Sequence, residues 1–201
     1  VKAMNAVLPI RLPSTFRCTQ EQFMELVKAN PELRWELTAH GEVIVMPPTG
    51  SETGNYNFEL SAALAAWNAQ TQMGKGFDSS AGFRLPNGAI RSPDVAWIAQ
   101  ERWAQLSLEQ RRTFAPICPD FVVELVSPTD DVNALEAKMQ EYIENGCRLG
   151  WLVDPQKRQV TLYRPQMAPE IISFDVPLTG EDVLPGFTID LRQIFGDEST
   201  T

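Results

Sequence analysis

The chain reads as an α/β domain built on a mixed β-sheet flanked by helices, and three observations predict it. Strand-like and helix-like segments alternate along the chain instead of segregating into blocks. No internal repeat and no low-complexity linker divides it. Of its 201 residues 43% are hydrophobic and 21% charged, which is the balance of an ordinary globular protein with material for a sizeable core. One domain is expected over residues 1–196, followed by a disordered tail over 197–201.

The elements follow in order. "TQEQFMELVKANPELRWEL" opens on a polar N-cap candidate, Thr19, and carries Phe23, Met24, Leu26 and Val27 at helical spacing before weakening at Pro31, which predicts a helix. "LRWELTA" and "EVIVMPP" flank His40-Gly41 and predict a hairpin. In "NYNFELSAALAAWNAQTQ", Phe58, Leu60, Ala63, Leu64 and Trp67 predict a second, largely buried helix. "GKGFDSSAG" reads as a glycine-rich break, followed by extended pieces "FRLP" and "PDVAWIAQ" joined by a turn, "NGAIRS".

A surface helical stretch, "SLEQRRTF", leads to the strand "PDFVVELVSP". "DVNALEAKMQEYIENGC" has Asp130 or Asp131 to cap it, a stripe of Leu135, Met139, Tyr142 and Ile143, and Gly146 to end it, which predicts a helix. "RLGWLVDP" and "RQVTLYRP" are two strands around a Pro-Gln-Lys turn, and "EIISFDVP" with "FTIDLRQIF" completes the chain.

Composition narrows the function. No apolar run approaches the ~20 residues of a membrane span, and "VKAMNAVLPIRLP" lacks the uninterrupted apolar stretch of a secretory signal, so a cytoplasmic location is the expectation. Cys18, Cys118 and Cys147 are widely spaced without a CxxC pair and read as thiols rather than a disulfide framework or zinc site. The only histidine, His40, falls in the hairpin turn, which argues against a histidine-dependent hydrolase and a His-rich metal site. The formal net charge of -9 and scattered basic residues are awkward for a nucleic-acid binder, which needs clustered Lys and Arg.

The most informative residue is Glu124, in the middle of "FVVELV". Strand alternation places it on one face with Val122 and Val126, while Phe121, Val123 and Leu125 point the other way. Asp94, opening "PDVAWIAQ" after Pro93, shares a face with Ala96 and Ile98. An unpaired buried carboxylate costs several kcal/mol, so something positive is expected between the two acids. One candidate is Lys138, within or beside the stripe of the next helix. The other is a divalent ion, for which carboxylate oxygens suit Mg²⁺ or Mn²⁺.

The ordered set "FRLPNGAIRSPDVAWI", "PDFVVELVSPTD", "KMQEYIENG" and "GWLVDP" resembles the Uma-two family of restriction endonuclease domains, a branch of the PD-(D/E)XK nuclease superfamily, from about Arg34 to Val160. The resemblance implies a PD-(D/E)XK core in which Asp94 and Glu124 bind one or two Mg²⁺ (or Mn²⁺) ions, with the backbone carbonyl of Leu125 as a further ligand. The motif lysine is absent, since Val126 stands two residues after Glu124. Lys138 on the following helix matches the lysine that has migrated there in many superfamily members. Glu36, in "RWEL", resembles the extra acid that an early element contributes. Relatives often carry a histidine in the segment matching "TGSETGN"; this chain has Thr53 nearby.

The implied activity is metal-assisted hydrolysis of a nucleic-acid phosphodiester, DNA before RNA, with a homodimer among the family's arrangements. Two other readings stay open at this level: a non-enzymatic interaction protein in which Glu124 and Lys138 are a structural ion pair, and a hydrolase of small phosphoesters. Glu36 is equally an exposed strand acid or a ligand. Tyr142 and Trp151 read as core, Asp154 as the start of a turn, and Asp94 alternatively as a partner of Arg91.

Overall fold

The computed structural model describes residues 15–196. The expected tail, 197–201, and the N-terminal stretch read for a secretory signal lie wholly or almost wholly outside the described residues. Helix α1 (Gln20–Ala29) begins with a reciprocal cap. Thr19 Oγ1 accepts the Gln22 N–H while Gln22 Oε1 accepts the Thr19 N–H. Strands β1 (Arg34–Leu37) and β2 (Val43–Met46) form the expected hairpin, with Gly41 at φ +81° in the turn.

Helix α2 (Ser51–Thr71) precedes β3 (Gly74–Asp78), β4 (Phe83–Arg84), β5 (Ile90–Arg91) and β6 (Val95–Ala99). Two short helices, α3 (Gln100–Ala104) and α4 (Leu108–Arg111), lead to β7 (Phe121–Leu125), α5 (Val132–Glu144), β8 (Leu149–Asp154), β9 (Gln159–Tyr163) and β10 (Glu170–Ser173). A last hairpin, β11 (Leu178–Gly180) with β12 (Leu184–Ile189), and α6 (Arg192–Phe195) complete the order.

The strands build a six-stranded sheet, β10-β9-β8-β7-β6-β3, and a smaller one, β2-β1-β5-β4. Within the larger sheet β7 and β8 run parallel and the other pairs antiparallel, so the sheet is mixed as the sequence predicts. A parallel pair needs a crossover, and α5 supplies it. Asp131 caps α5 by accepting the Asn133 N–H; Asp130 accepts the Ser127 N–H instead. Among the described residues no helix is long and apolar enough to cross a membrane.

Burial follows the alternation along β7. Phe121, Val123 and Leu125 pack with Trp97, Trp151 and the Leu60–Leu64–Trp67 stripe of α2. Val122 and Val126 pack with Ala96, Ile98, Met139 and Tyr142 on the α5 side. Both faces are dry, and Glu124 sits among the second set.

Three expectations are corrected, and two elements go beyond them. "GKGFD" is a strand, not a break, and Gly74 explains why glycine is there: a Cβ would meet the Trp97 ring at 2.5 Å and the Ile98 carbonyl at 2.2 Å. In "NGAIRS" the turn ends before Ile90–Arg91, which are a strand. Helix α2 buries only a narrow stripe; Phe58 is 67% exposed because it lies two positions, about 200°, around the helix from Leu60. Helix α3 and strand β11 come from segments with no periodic signal of their own.

Candidate active site

Each of the four predicted side chains is placed by a different element. Glu36 lies in β1, beside β5 through the Leu37–Ile90 pairing. Its Oε1 accepts the Ser92 N–H at 2.8 Å, and its Oε2 faces Arg91 Nη1 at 3.1 Å. It is 2% exposed, which decides against an exposed strand acid. From α5, Lys138 Nζ reaches Glu36 Oε1 at 2.9 Å and Glu124 Oε1 at 2.7 Å. The lysine therefore bridges Glu36 and Glu124, rather than Asp94 and Glu124.

One turn on, the Tyr142 hydroxyl donates to the same Glu124 oxygen at 3.0 Å, and Glu141 accepts Arg91 Nε–H at 2.6 Å. Positions i, i+3 and i+4 of one helix thus carry Lys138, Glu141 and Tyr142 to the same buried network. Asp94 stands just before β6. The β6–β7 ladder ends at Val95–Val123, and the Asp94 carboxylate continues it by accepting the Leu125 N–H at 2.9 Å. Its other oxygen accepts from Asn57 Nδ2 at 3.2 Å.

Asp94, Glu124, Leu125 and Lys138 line a cleft of about 470 Å³ with Thr53 and Arg34 on its walls, whereas Glu36 is not among its lining residues and reaches it through Lys138. Tyr142, Glu141, Arg91 and Asn57 complete the surroundings and were not assigned to the site from sequence. Tyr142 had a usable signal, four residues after Lys138; Asn57 had none, because nothing in α2 marks which face meets Asp94. Arg91 pairs with Glu36 and Glu141, not with Asp94. Tyr142 and Trp151 are core as expected, and Asp154 begins its turn by accepting the Gln156 and Lys157 N–H groups. His40 is exposed in the hairpin turn.

The electrostatics separate the acids. Burial pushes the Glu124 carboxyl up, Asp94 and Glu36 push it further, and Lys138 only partly opposes them. Burial likewise raises Asp94, against the pull of the Leu125 N–H, Lys138, Arg34 and Asn57. Burial also works to raise Glu36, but Lys138, Arg91 and the Ser92 N–H outweigh it and hold this carboxyl below its ordinary range. Lys138 is raised despite its burial, because Glu124 and Glu36 favour its cationic form. The lysine and Glu36 form the firmly ionised pair, and Asp94 and Glu124 are left short of positive charge.

That imbalance bears on a metal ion. Four carboxylates, of Glu36, Asp94, Glu124 and Glu141, surround Lys138 and Arg91, and the two acids with raised pKa both border the cleft. Their oxygens fit a hard divalent cation and not a thiolate- or imidazole-seeking one. Among the described residues no group of three Asp, Glu, His or Cys side chains stands ready to hold a metal. The fit is therefore to a two-carboxylate site completed by backbone, water and substrate oxygens, as Mg²⁺ commonly accepts.

Comparison with known proteins agrees with this architecture. A crystal structure from Anabaena variabilis, described as a putative nuclease belonging to DUF820, superposes with a TM-score of 0.75 at 19% identity, over 89% of this chain and 97% of that one. No curated protein matches in sequence. The family model described as "Uma2: Putative restriction endonuclease" matches residues 20–192. Spanning most of the chain, that match means that the protein belongs to the Uma2 family.

Proposed function

We propose that the protein is a Mg²⁺- or Mn²⁺-dependent nuclease that hydrolyses phosphodiester bonds of nucleic acid, DNA in preference to RNA. The observation that carries the reading is the pair of cleft-lining carboxylates, Asp94 and Glu124, both with raised pKa and short of positive charge, beside a lysine whose own charge is secured by Glu36. The family description supports the substrate class.

Asp94, Glu124 and the Leu125 carbonyl would hold the ion, which when bound supplies a Lewis acid and a water of lowered pKa. Asp94 keeps its orientation through the Leu125 N–H and Asn57. Glu124 is pinned through one oxygen by Lys138 and Tyr142. Lys138 keeps a positive charge beside the reacting phosphate and stabilises the negative charge that develops there. Glu36, itself held by Arg91 and the Ser92 N–H, keeps that ammonium in place. No covalent enzyme intermediate is required.

A non-catalytic reading has one observation in its favour: the Glu124–Lys138 pair at 2.7 Å is itself a closed buried ion pair. It gives no reason for Asp94 to line the same cleft with a raised pKa. The test is cleavage of plasmid DNA and of a structured RNA with Mg²⁺ and Mn²⁺, wild type beside Asp94→Asn. Cleavage of the plasmid by the wild type and not by Asp94→Asn supports the proposal, and cleavage of the RNA alone overturns the preference for DNA. No cleavage of any substrate with either ion, by a protein that folds normally, removes it.

A further inference from the structure

A second groove, of about 550 Å³, runs between α1, the β3–β4 segment and α4. Its floor is aromatic. Phe77 meets Phe83 edge-on at 5.2 Å and Trp103 at the same distance, and Phe114 lies beside Phe23. Phe77, Trp103 and Phe114 are only half-buried, so part of each ring faces the groove.

The rim is basic. Lys28, Arg111 and Arg112 line the groove and no Asp or Glu does, in a chain whose formal net charge is -9. Acids of the neighbouring helices, Glu25, Glu101 and Glu109, are not among the lining residues. The Arg111 guanidinium lies 5.3 Å from the Trp103 ring centroid, and its Nη2 donates to the Ala104 carbonyl. Its Nε is buried without a hydrogen-bond partner among the described residues. Among the described residues none of the three cations pairs with a carboxylate.

The groove and the acidic cleft have no lining residue in common but are joined by two contacts. Arg34, which lines the cleft, donates to the Ser79 carbonyl. Ser80, Ala81 and Gly82 line the groove, and a Cβ on Gly82 would come within 3.1 Å of Ser92 Oγ. Ser92 in turn lines the cleft and holds Glu36. Residues 79–82 therefore stand between the cleft and the groove.

We propose that this groove is a nucleotide-stacking subsite for a single-stranded stretch of nucleic acid, with a base against Trp103 and Phe114 and phosphates on Lys28, Arg111 and Arg112. Aromatic faces beside clustered cations give the chemistry of sequence-tolerant single-strand binding, in which rings take the bases and cations take the backbone. The inference rests on the nuclease reading for the identity of the polymer. It also bears on the charge problem, because the groove sets three cations side by side in an acidic chain.

The experiment is fluorescence anisotropy of a labelled oligo-dT with the full chain in EDTA, so that cleavage is silent and the acidic cleft repels phosphate. Lys28→Ala/Arg112→Ala changes two exposed side chains and leaves the core intact. This variant is expected to bind about tenfold more weakly or worse, and the slope of log K against log salt is expected to flatten by about 1.4, or ~0.7 for each lost phosphate contact. Trp103→Ala, checked for an unchanged melting temperature, is expected to lose affinity with no change in slope. Asp94→Asn is expected to bind at least as tightly as wild type.

Wild type that does not bind the oligonucleotide, or a double variant with wild-type affinity and slope, overturns the subsite. So does displacement by polyglutamate as effective as by unlabelled oligo-dT, which would mark the groove as a site for an acidic protein. The two proposals fail separately. Groove-dependent binding without cleavage by the wild type sinks the nuclease alone, and Asp94-dependent cleavage with an indifferent double variant sinks the subsite alone.

Discussion

Strand β7 is bracketed by two buried acids whose surroundings differ. Asp120, just before the strand, is 1% exposed; Glu124, near its end, is 4% exposed. Asp120 has a separate partner for each oxygen, Arg102 Nη1 at 2.8 Å and the Ala99 N–H at 2.8 Å, and its own carbonyl accepts the Arg148 and Leu149 N–H groups. It ties β6, α3 and β8 together. Glu124 shares one cation with Glu36, feels Asp94, and borders a cleft. The difference separates two kinds of buried acid on a single strand: Asp120 has a cation and a backbone donor of its own, whereas Glu124 shares its one cation with Glu36 and has its pKa pushed up.

The largest effect should come at the unmatched end. Asp94→Asn or Glu124→Gln is expected to lower metal-dependent cleavage by about 10²-fold or more, since each removes a group that holds transition-state charge, while the melting temperature stays within a few degrees. Asp120→Ala is expected to do the reverse. Leaving the Ala99 N–H and Arg102 without their partner should cost about 1–3 kcal/mol in denaturant unfolding, with divalent-ion binding unchanged. If Glu124→Gln were the destabilising substitution, the comparison would break and the structural-pair reading would take its place.

Lys138→Met belongs to both categories. It leaves Glu36 and Glu124 without their shared cation, so a loss of about 3–5 kcal/mol of stability is expected together with loss of cleavage. A smaller effect is expected from Arg91→Lys, which keeps a charge but gives up the fork that spans Glu36 and Glu141. A drop of about tenfold in cleavage with an unchanged metal affinity would identify it as a positioning residue; a loss of metal binding would not fit.

A further effect is one of pH. The folded-state pKa of Glu124 is raised from its ordinary 4.5 to about 8, so its contribution to stability is present below about 4.5 and lost as pH rises through about 8. Without divalent ion, wild type is expected to lose stability over that window and Glu124→Gln to lose less. Glu36, with its pKa lowered, acts in the opposite sense, contributing stability that disappears as pH falls through its folded pKa. Because the ion competes with the Glu124 proton, Mn²⁺ affinity is expected to climb as pH approaches about 8. Thermal melts and calorimetric titrations across that range check both statements.

Much of this comparison was legible in the sequence, because strand alternation is rigid. An acid between valines and leucines in "FVVELV" must be buried, and its anomaly is visible without coordinates. Lys138 was legible for the same reason, since the next helix has to cover that face. What was not legible depends on long-range pairing. Glu36 meets Lys138 only because β1 lies against β5 and α5 closes over both, and local pattern left Glu36 as plausible on the surface as in the site. The β3 strand was hidden by its glycines, and the need for Gly74 is set by Trp97, a residue more than twenty positions away. The basic groove was hidden because Lys28 lies far along the chain from the adjacent Arg111 and Arg112 and joins them only in the fold.

The most direct test of the central claim is calorimetric titration of Mn²⁺ into wild type, Asp94→Asn, Glu124→Gln and Asp120→Asn, repeated with an uncleavable phosphorothioate duplex present because substrate oxygens complete the site. The account predicts binding by wild type and Asp120→Asn that is lost in Asp94→Asn and Glu124→Gln. Binding that survives in either of those two, or no binding by wild type even with the duplex, would contradict it.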